Sequence, residues 1–523
     1  MKNPLNPQKI LKVAPAVLPP VPRQTNPFLP HLFAPVGQAL PPANNHLVGP
    51  EILSPALAPG SLRQPEHPAA QRAHYLVPQR LVEFRTVEAP TRIQTKPVHL
   101  QAHRGASYTV ADMPGMRTTV LRLLCTVATA AGAGSRPRIR AVTAFIEVDP
   151  VRYAAEIAEA QKFLATAKDA LNRGGFEVAG GRITIQPFPF YTKGMKREGA
   201  LALVRRMREA AQTTGASLNI GSAMVNDYDD PAPVALLADV LSEIGVNANV
   251  ITADDKGIHW RSINESAKLM KRVSERSPKG AGNFNFATIA MMKPYGPYYP
   301  GSYHLGKGHA FAIAMEGASV VAEVFGRYRD PIEAEQRLAE AMAKYTRDAE
   351  AIAMRVASNT GWAYEGIDAT PAPLGDNSIG AAIESFAGGP FGSSGTLTAS
   401  GIITRAVQAT PIKHVGYSGL MIPVMEDRLL ARRWAEGTFT LDSILAYSAV
   451  CAGGADTVPL PGDVTEQEIA RILGDVAWLA YRWNKPLAAR LLPAPGKRAG
   501  ESTEFANGIL TDTVVQPLPG RRR

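Results

Sequence analysis

Cysteine is almost missing from this chain, with Cys125 and Cys451 the only two in 523 residues. Two thiols cannot build a disulfide framework, so a reducing cytoplasm is the expected compartment. Long apolar runs are missing as well. No segment offers the roughly 18 uncharged apolar residues that a membrane helix needs. Lys9, Lys12 and repeated prolines interrupt the N-terminus where a secretory signal would place its apolar core. Neither membrane contact nor export is expected. The short motifs of common enzyme classes are absent too: no GxSxG elbow, no glycine-lysine phosphate loop, no GxGxxG after a strand, and no paired cysteine or histidine doublets for zinc. Standard serine hydrolases and P-loop or Rossmann nucleotide enzymes are therefore disfavoured.

Clustered charge is also lacking. The formal net charge is +10, but lysine and arginine are spread along the chain, and the one dense run is GRRR at residues 520–523. Neutralising phosphates takes a basic cluster, so no nucleic-acid partner is expected.

What is present is enough apolar residue, 45%, to fill a large core. The length suggests about three or four domains, although one large α/β barrel can use it as a single unit. Of the 43 prolines, 19 lie in residues 1–100, which show little periodicity. Proline fixes φ and removes a backbone donor, so residues 1–137 read as an extended or disordered extension. That segment is a linker, a partner-binding tail of polyproline type, or the product of a start assigned upstream of Met113 or Met116.

Order begins at Arg138, and residues 138–149 (RIRAVTAFIEVD) read as a strand. Asp149 is a good N-cap with Pro150 behind it, and a helix of apolar period runs to a glycine stop at Gly174. Strands are then expected at 176–188, 216–220, 248–252, 284–292 and 309–316, with helices near 198–213, 233–244 and 262–275. Asp330 with Glu333, and Thr465 with Glu468, have the spacing of capping boxes that open two further helices. Alternating strands and helices imply an α/β domain over residues 138–517 with a largely parallel, covered sheet, followed by a basic tail at 518–523.

Polar loops at strand ends are the candidate site. In residues 370–384 (TPAPLGDNSIGAAIE), Asp376, Asn377 and Ser378 precede a helix, whose free N–H groups suit an anion; Asp376 would be an acid, base or ligand. The same residues also suit plain helix capping. Ser394 and Thr396, in the loop of residues 388–407, are candidate substrate contacts. His304 and His309 flank a glycine-rich loop and are candidates for proton transfer or for a shared divalent metal. Cys451 is a candidate nucleophile, or a packed, inert thiol. Asp456, five residues on, is a second candidate carboxylate. Residues 413–427 (KHVGYSGLMIPVMED) read as a turn at 416–419, a buried strand at LMIPV and an exit at Glu426 and Asp427, with Tyr417 and Ser418 as candidate ligand contacts.

Taken in order, SLNIGS at 217–222, PGSYHLGKGHA at 300–310, TPAPLGDNS at 370–378, GSSGTLTAS at 392–400, GYSGLMIPVMED at 416–427 and DTVPLPGD at 456–463 resemble the uncharacterised protein family 0210, also called domain of unknown function 711. The resemblance spans residues 138–517. It implies a fold like that of pyruvate formate-lyase: a large barrel of two five-stranded parallel half-sheets wrapped in helices, with central loops reaching inside, and a homodimer. No substrate comes with the family. Residues 1–137, the alanine of Gly453-Gly454-Ala455-Asp456 and the acidic stretch 226–230 depart from its pattern. Glycyl-radical relatives carry the radical on an Arg-Val-Ser-Gly-Tyr-like loop near the C-terminus and place a cysteine at the barrel centre. Here His414-Val415-Gly416-Tyr417 is a faint echo, more than 100 residues from the end. The expectation is a cytoplasmic enzyme that binds a small polar or anionic metabolite among the glycine-rich loops. A non-catalytic scaffold protein is the alternative.

Overall fold

The computed structural model describes residues 136–523 except 506, 519, 522 and 523, together with residues 100, 101, 107 and 108. The chain divides into two units between Val110 and Ala111. In the first, Leu100–Gln101 and Ser107–Tyr108 pair antiparallel. Most of the proline-rich extension, with Met113, Met116 and Cys125, lies outside the described residues, as does the end of the basic tail.

In the second unit the chain runs through β1 (Arg138–Ile146), α1 (Tyr153–Arg173), β2 (Gly181–Ile185), α2 (Phe188–Thr192), α3 (Arg197–Gln212), β3 (Ser217–Ser222) and α4 (Ala232–Glu243). Next come β4 (Asn247–Asp254), β5 (Gly257–Ile258), α5 (Trp260–Arg276), a 3-10 segment (Pro278–Asn285) and β6 (Phe286–Ala290). After a long loop follow β7 (Gly308–Glu316), α6 (Ala318–Arg327), α7 (Pro331–Thr360), β8 (Ala363–Asp368), α8 (Ile379–Ala387) and α9 (Thr396–Gln408). The chain ends with α10 (Arg428–Ala435), α11 (Leu441–Ser448), β9 (Gly454–Pro461), α12 (Glu466–Trp483) and β10 (Leu487–Ala494).

The sheet order is β8-β7-β1-β2-β3-β4-β6-β10-β9, with β5 on β4. Strands β1, β2, β3, β4 and β6 are mutually parallel. So are β7 with β8 and β9 with β10, but β7 meets β1 and β10 meets β6 antiparallel. The open edges β8 and β9 are joined by residues 413–424, which run parallel to both through bridges at Ile367–His414 and Pro423–Asp456. Counting that irregular segment as a strand, the sheet closes into a barrel of two parallel half-sheets of five. LMIPV is thus a barrel-closing stretch with isolated bridges where a regular strand was expected. Its turn is tight: Gly416 has φ 64, and a Cβ there would collide with the Asp368 carboxylate.

Period-two alternation decides the two faces of each strand. Ile139, Val142, Ala144 and Ile146 of β1 join the outer core with Ile157, Ala160, Phe163 and Leu164 of α1. The inner face is polar. Thr143, Thr184, Asn219 and Asn249 are fully buried on successive strands, and they receive the loop of residues 291–307 that joins the two half-sheets. Thr143 donates to Pro297 O (2.9 Å), Asn219 and Asn249 both donate to Pro300 O (2.9 Å each), Asn249 also donates to Ser302 O (2.8 Å), and Thr184 bonds the Ser302 hydroxyl (2.7 Å). A non-helical loop inside a barrel has carbonyls that no ladder satisfies, and these side chains supply the donors.

The helix starts follow the sequence closely. Thr465 and Glu468 form a reciprocal capping box, whereas Asp330 accepts from Ile332 and Glu333 amides without an answering bond from Glu333. Asp149 Oδ1 takes the Val151 and Arg152 amides, so it caps the turn that leads into α1, which becomes regular only at Tyr153.

Candidate functional site

A cavity of about 620 Å³ opens at the barrel end where β1 to β4 and β6 begin. Its wall on that side carries Arg140, Arg182, Ser217 and Asn247, two to three residues ahead of the threonines and asparagines that hold the central loop. A β-bulge between Ile139 and Ala141 breaks the alternation of β1 and accompanies the inward Arg140. Tyr298, Tyr299 and Pro300 of the central loop form the floor, and Tyr417, Glu426, Asp456 and Arg490 complete the wall from the second half-sheet.

Most of these charges are matched. Arg490 Nε donates to Asp456 Oδ1 at 2.7 Å, its Nη2 bonds Glu426, and its guanidinium lies over the Phe284 ring. Arg140 is 3.5 Å from Glu426 and 3.2 Å from Glu316, which also takes Arg138. Burial works against the Arg490 cation, but Asp456 and Glu426 outweigh it and hold its pKa above the ordinary arginine value. Burial likewise pushes the Asp456 carboxyl up, opposed by Arg490.

Arg208 also lines the cavity; it donates to Gly245 O at 3.2 Å and has no carboxylate within ion-pair distance among the described residues. Arg182, deeper in the wall, is the second exception. It donates to Pro297 O at 3.0 Å and sits over the Tyr299 ring, and among the described residues no carboxylate lies within ion-pair distance of it. Burial and the neighbouring Arg140 lower its pKa to about 10. It is a cation in a lined cavity with donors to spare.

Tyr417 is held by Asp368, a fully buried carboxylate that accepts from the Tyr417 amide (2.7 Å), the Ser418 amide (3.0 Å), and the amide and hydroxyl of Thr370. Burial pushes the Asp368 carboxyl up against these bonds. The Tyr417 ring is fixed in the cavity wall, and its hydroxyl makes no hydrogen bond among the described residues. Burial, with Asp456 and Asp368 nearby, raises its pKa.

Of the candidate catalytic and binding residues named from the sequence, Asp456 and Tyr417 line this cavity; Glu426, read there as the exit of a strand, lines it too. Asp376 is 79% exposed and paired with Arg428 at 2.5 Å. Asn377 bridges back to Leu374 within its turn. Ser378 caps α8 through the Ala381 amide and also donates to Asp427. The N–H groups that looked free for an anion are taken, since Asp427 Oδ2 accepts from Ile379 (2.8 Å) and Gly380 (3.1 Å). Ser394 is exposed in a turn, and Thr396 is buried at the start of α9, where its hydroxyl accepts from Gly392 N. The Ser418 hydroxyl donates to Val415 O, accepts from the Ala369 amide and lies 3.2 Å from His414 Nδ1, and it does not line the cavity.

The histidines do not converge. His304 is fully buried with its ring nitrogens against Ile146 O (2.9 Å) and Gly306 O (3.0 Å), and burial lowers its pKa. His309 is 62% exposed beside Glu159. Among the described residues no group of three or more His, Cys, Asp or Glu is placed to hold a metal ion. Cys451 belongs to the outer core, does not line the cavity, and has its thiol pKa pushed up by burial, which suits the packed alternative.

Sequence reasoning missed Arg140, Arg182 and Arg490. The signal was there: each is an arginine within a strand of largely apolar residues, RIRAVTAFI, GRITI and LAARLLPA, and a charge in a covered strand demands an inward partner or function.

The family described as uncharacterised ACR (DUF711) matches residues 134–507. The chain belongs to this family. A UPF0210 protein of Methanopyrus kandleri is 28% identical over 415 residues, 73% of this chain and 92% of the relative. One from Pyrobaculum arsenaticum is 30% identical over 387 residues, 70% and 76% of the two chains. Among solved structures, the anaerobic ribonucleotide reductase of Thermotoga maritima in complex with dATP and CTP aligns over 67% of this chain and 75% of its own, with 9% identity and a TM-score of 0.33. No helix among the described residues is long and apolar enough to cross a membrane.

Proposed function

We propose that this DUF711 protein is a cytoplasmic enzyme that takes a small anionic metabolite into the barrel cavity, with the acidic group on Arg182. The observation that carries this reading is the imbalance of the cavity: Arg140 and Arg490 are committed to Glu426 and Asp456, while Arg182 has no carboxylate partner among the described residues. A guanidinium that is partly desolvated and still holds unused N–H donors favours a carboxylate or phosphate that brings two acceptors. A volume near 620 Å³ is in the range of small-molecule sites. The catalytic part of the reading rests on Asp456 and Tyr417, two groups able to exchange protons beside the same cavity.

Thermal shift measures this directly, because a ligand that binds only the native state raises its melting temperature. Short-chain carboxylic acids and inorganic phosphate should raise the melting temperature of the parent protein and leave Arg182→Met unmoved. Equal shifts in both proteins would remove Arg182 from the site and this reading with it.

A further inference from the structure

The cavity wall holds a second set of groups with hydrogen-bonding capacity left over, on the other half-sheet from Arg182. Arg182 belongs to β2, in the first half. Asp456 belongs to β9 and Tyr417 to the closing segment, in the second. Asp456 spends Oδ1 on the Arg490 Nε donor, and the neighbouring Thr457 amide also serves its carboxyl, which leaves lone pairs rather than a whole oxygen open to the cavity. The Tyr417 hydroxyl, which shares the cavity with it, has no hydrogen-bond partner among the described residues. The ring is buried and packs with its centroid 6.4 Å from that of the Tyr298 ring. Its backbone amide is tied to Asp368, and Gly301 of the central loop lies so close that a Cβ there would stand 2.5 Å from the hydroxyl.

These groups discriminate between ligands. A purely hydrocarbon end placed against them would leave carboxylate lone pairs and a phenol unpaired away from water. A second acid group would stand beside the Asp456 and Glu426 carboxylates and find their arginines already paired, with no free cation on this side to receive it. A hydroxyl or an amino group supplies the missing donor to Asp456 and can bond the Tyr417 hydroxyl as well.

We propose that the ligand is a small monoacid that also carries a hydrogen-bond-donating hydroxyl or amino group, with the acid on Arg182 and the donor received between Asp456 and the Tyr417 hydroxyl. This rests on the reading of the cavity as an anion site. It adds that the site selects for a second, polar, non-anionic end.

The test is calorimetric titration of the full chain with matched acids three to six carbons long. At each length the series holds the plain acid, the hydroxy acid, the amino acid and the diacid. The expected result is a hydroxy or amino acid, at one spacing, that binds at least about tenfold tighter than the plain acid and diacid of its length. Whether the hydroxyl or the amine wins identifies the donor. Tyr417→Phe keeps the ring and loses only the hydroxyl, so it should fold and show most of that preference gone. Asp456→Asn, checked by its melting curve for folding, should lose it as well. Equal affinity for plain and substituted acids at every length, or full preference retained in Tyr417→Phe, overturns the proposal while leaving the anion site intact. If no acid binds the parent, or Arg182→Met binds them all as the parent does, the anion site itself is wrong and the proposal falls with it.

Discussion

Two regions of this molecule offer a small anion what it needs: the turn before α8, with the N–H groups of Ile379 and Gly380, and the barrel cavity, with its arginines. In the first, the anion is already built in. Asp427 reaches across from the start of α10, bonds both amides, and caps its own helix through Leu429 and Leu430. In the second, Asp456 and Glu426 neutralise Arg490, and Glu426 also approaches Arg140, but neither carboxylate reaches Arg182. The same chemistry is closed in one place and open in the other. What marks a binding site is the group left over after the internal pairs are counted.

The largest effect should come from breaking a closed pair inside the cavity. Arg490→Met strands the buried Asp456 carboxylate and leaves Glu426 with Arg140 alone, and the expected loss is about 3–5 kcal/mol of stability, read from the urea midpoint at constant slope. A loss below about 1 kcal/mol would mean that the two carboxylates are not held by Arg490 and that the contrast with Arg182 is false. Asp427→Ala should come next, at about 3 kcal/mol, because it removes one helix cap and leaves the buried α8 donors unpaired. Ser378→Ala should cost about 1 kcal/mol as a lost cap. Neither change should alter ligand affinity, and titration of the two variants checks that.

Arg182→Met should be the mirror image. Its stability should stay within about 1 kcal/mol of the parent or rise, since a cation without a carboxylate partner is replaced by an apolar chain of similar length, while ligand binding is lost. The smallest effect belongs to Asp376→Ala, whose pair with Arg428 is exposed: within about 0.5 kcal/mol in stability, and no change in affinity. A clear loss of binding in Asp376→Ala would return the site to the turn before α8.

The acid side of the stability curve gives a separate check at the chain's end. Arg521 holds the Glu468 pKa near about 2, below its ordinary value. A depressed carboxylate pKa contributes stability that is fully present above the unfolded value of about 4.3 and is lost as pH falls toward 2. Glu468→Gln should therefore narrow its difference from the parent across that window, by no more than about 1 kcal/mol because the pair is partly solvated.

Strand-helix alternation, the two capping positions at Asp330 and Thr465, and the family motifs were all legible because they rest on local chemistry: period, cap geometry and short loops read in order. The glycine-rich loops misled for an equally physical reason. Glycine, serine and aspartate serve turns and caps as readily as ligands, and only the position of Asp427, about fifty residues further on, shows that the α8 amides are spent. His304 misled similarly, since its burial against two carbonyls depends on β1 lying beside the central loop.

The sequence by itself determined the α/β class, the covered strands, the helix starts and the family, because each depends on residues within a turn or two of one another. The tertiary structure alone decided which polar groups remain unsatisfied. Arg140, Arg182 and Arg490 come from three strands, Tyr417 from the segment that closes the barrel, and Tyr298 and Tyr299 from the loop that fills it. Whether a guanidinium is paired or free is a property of distance in space, and no spacing along the chain records it.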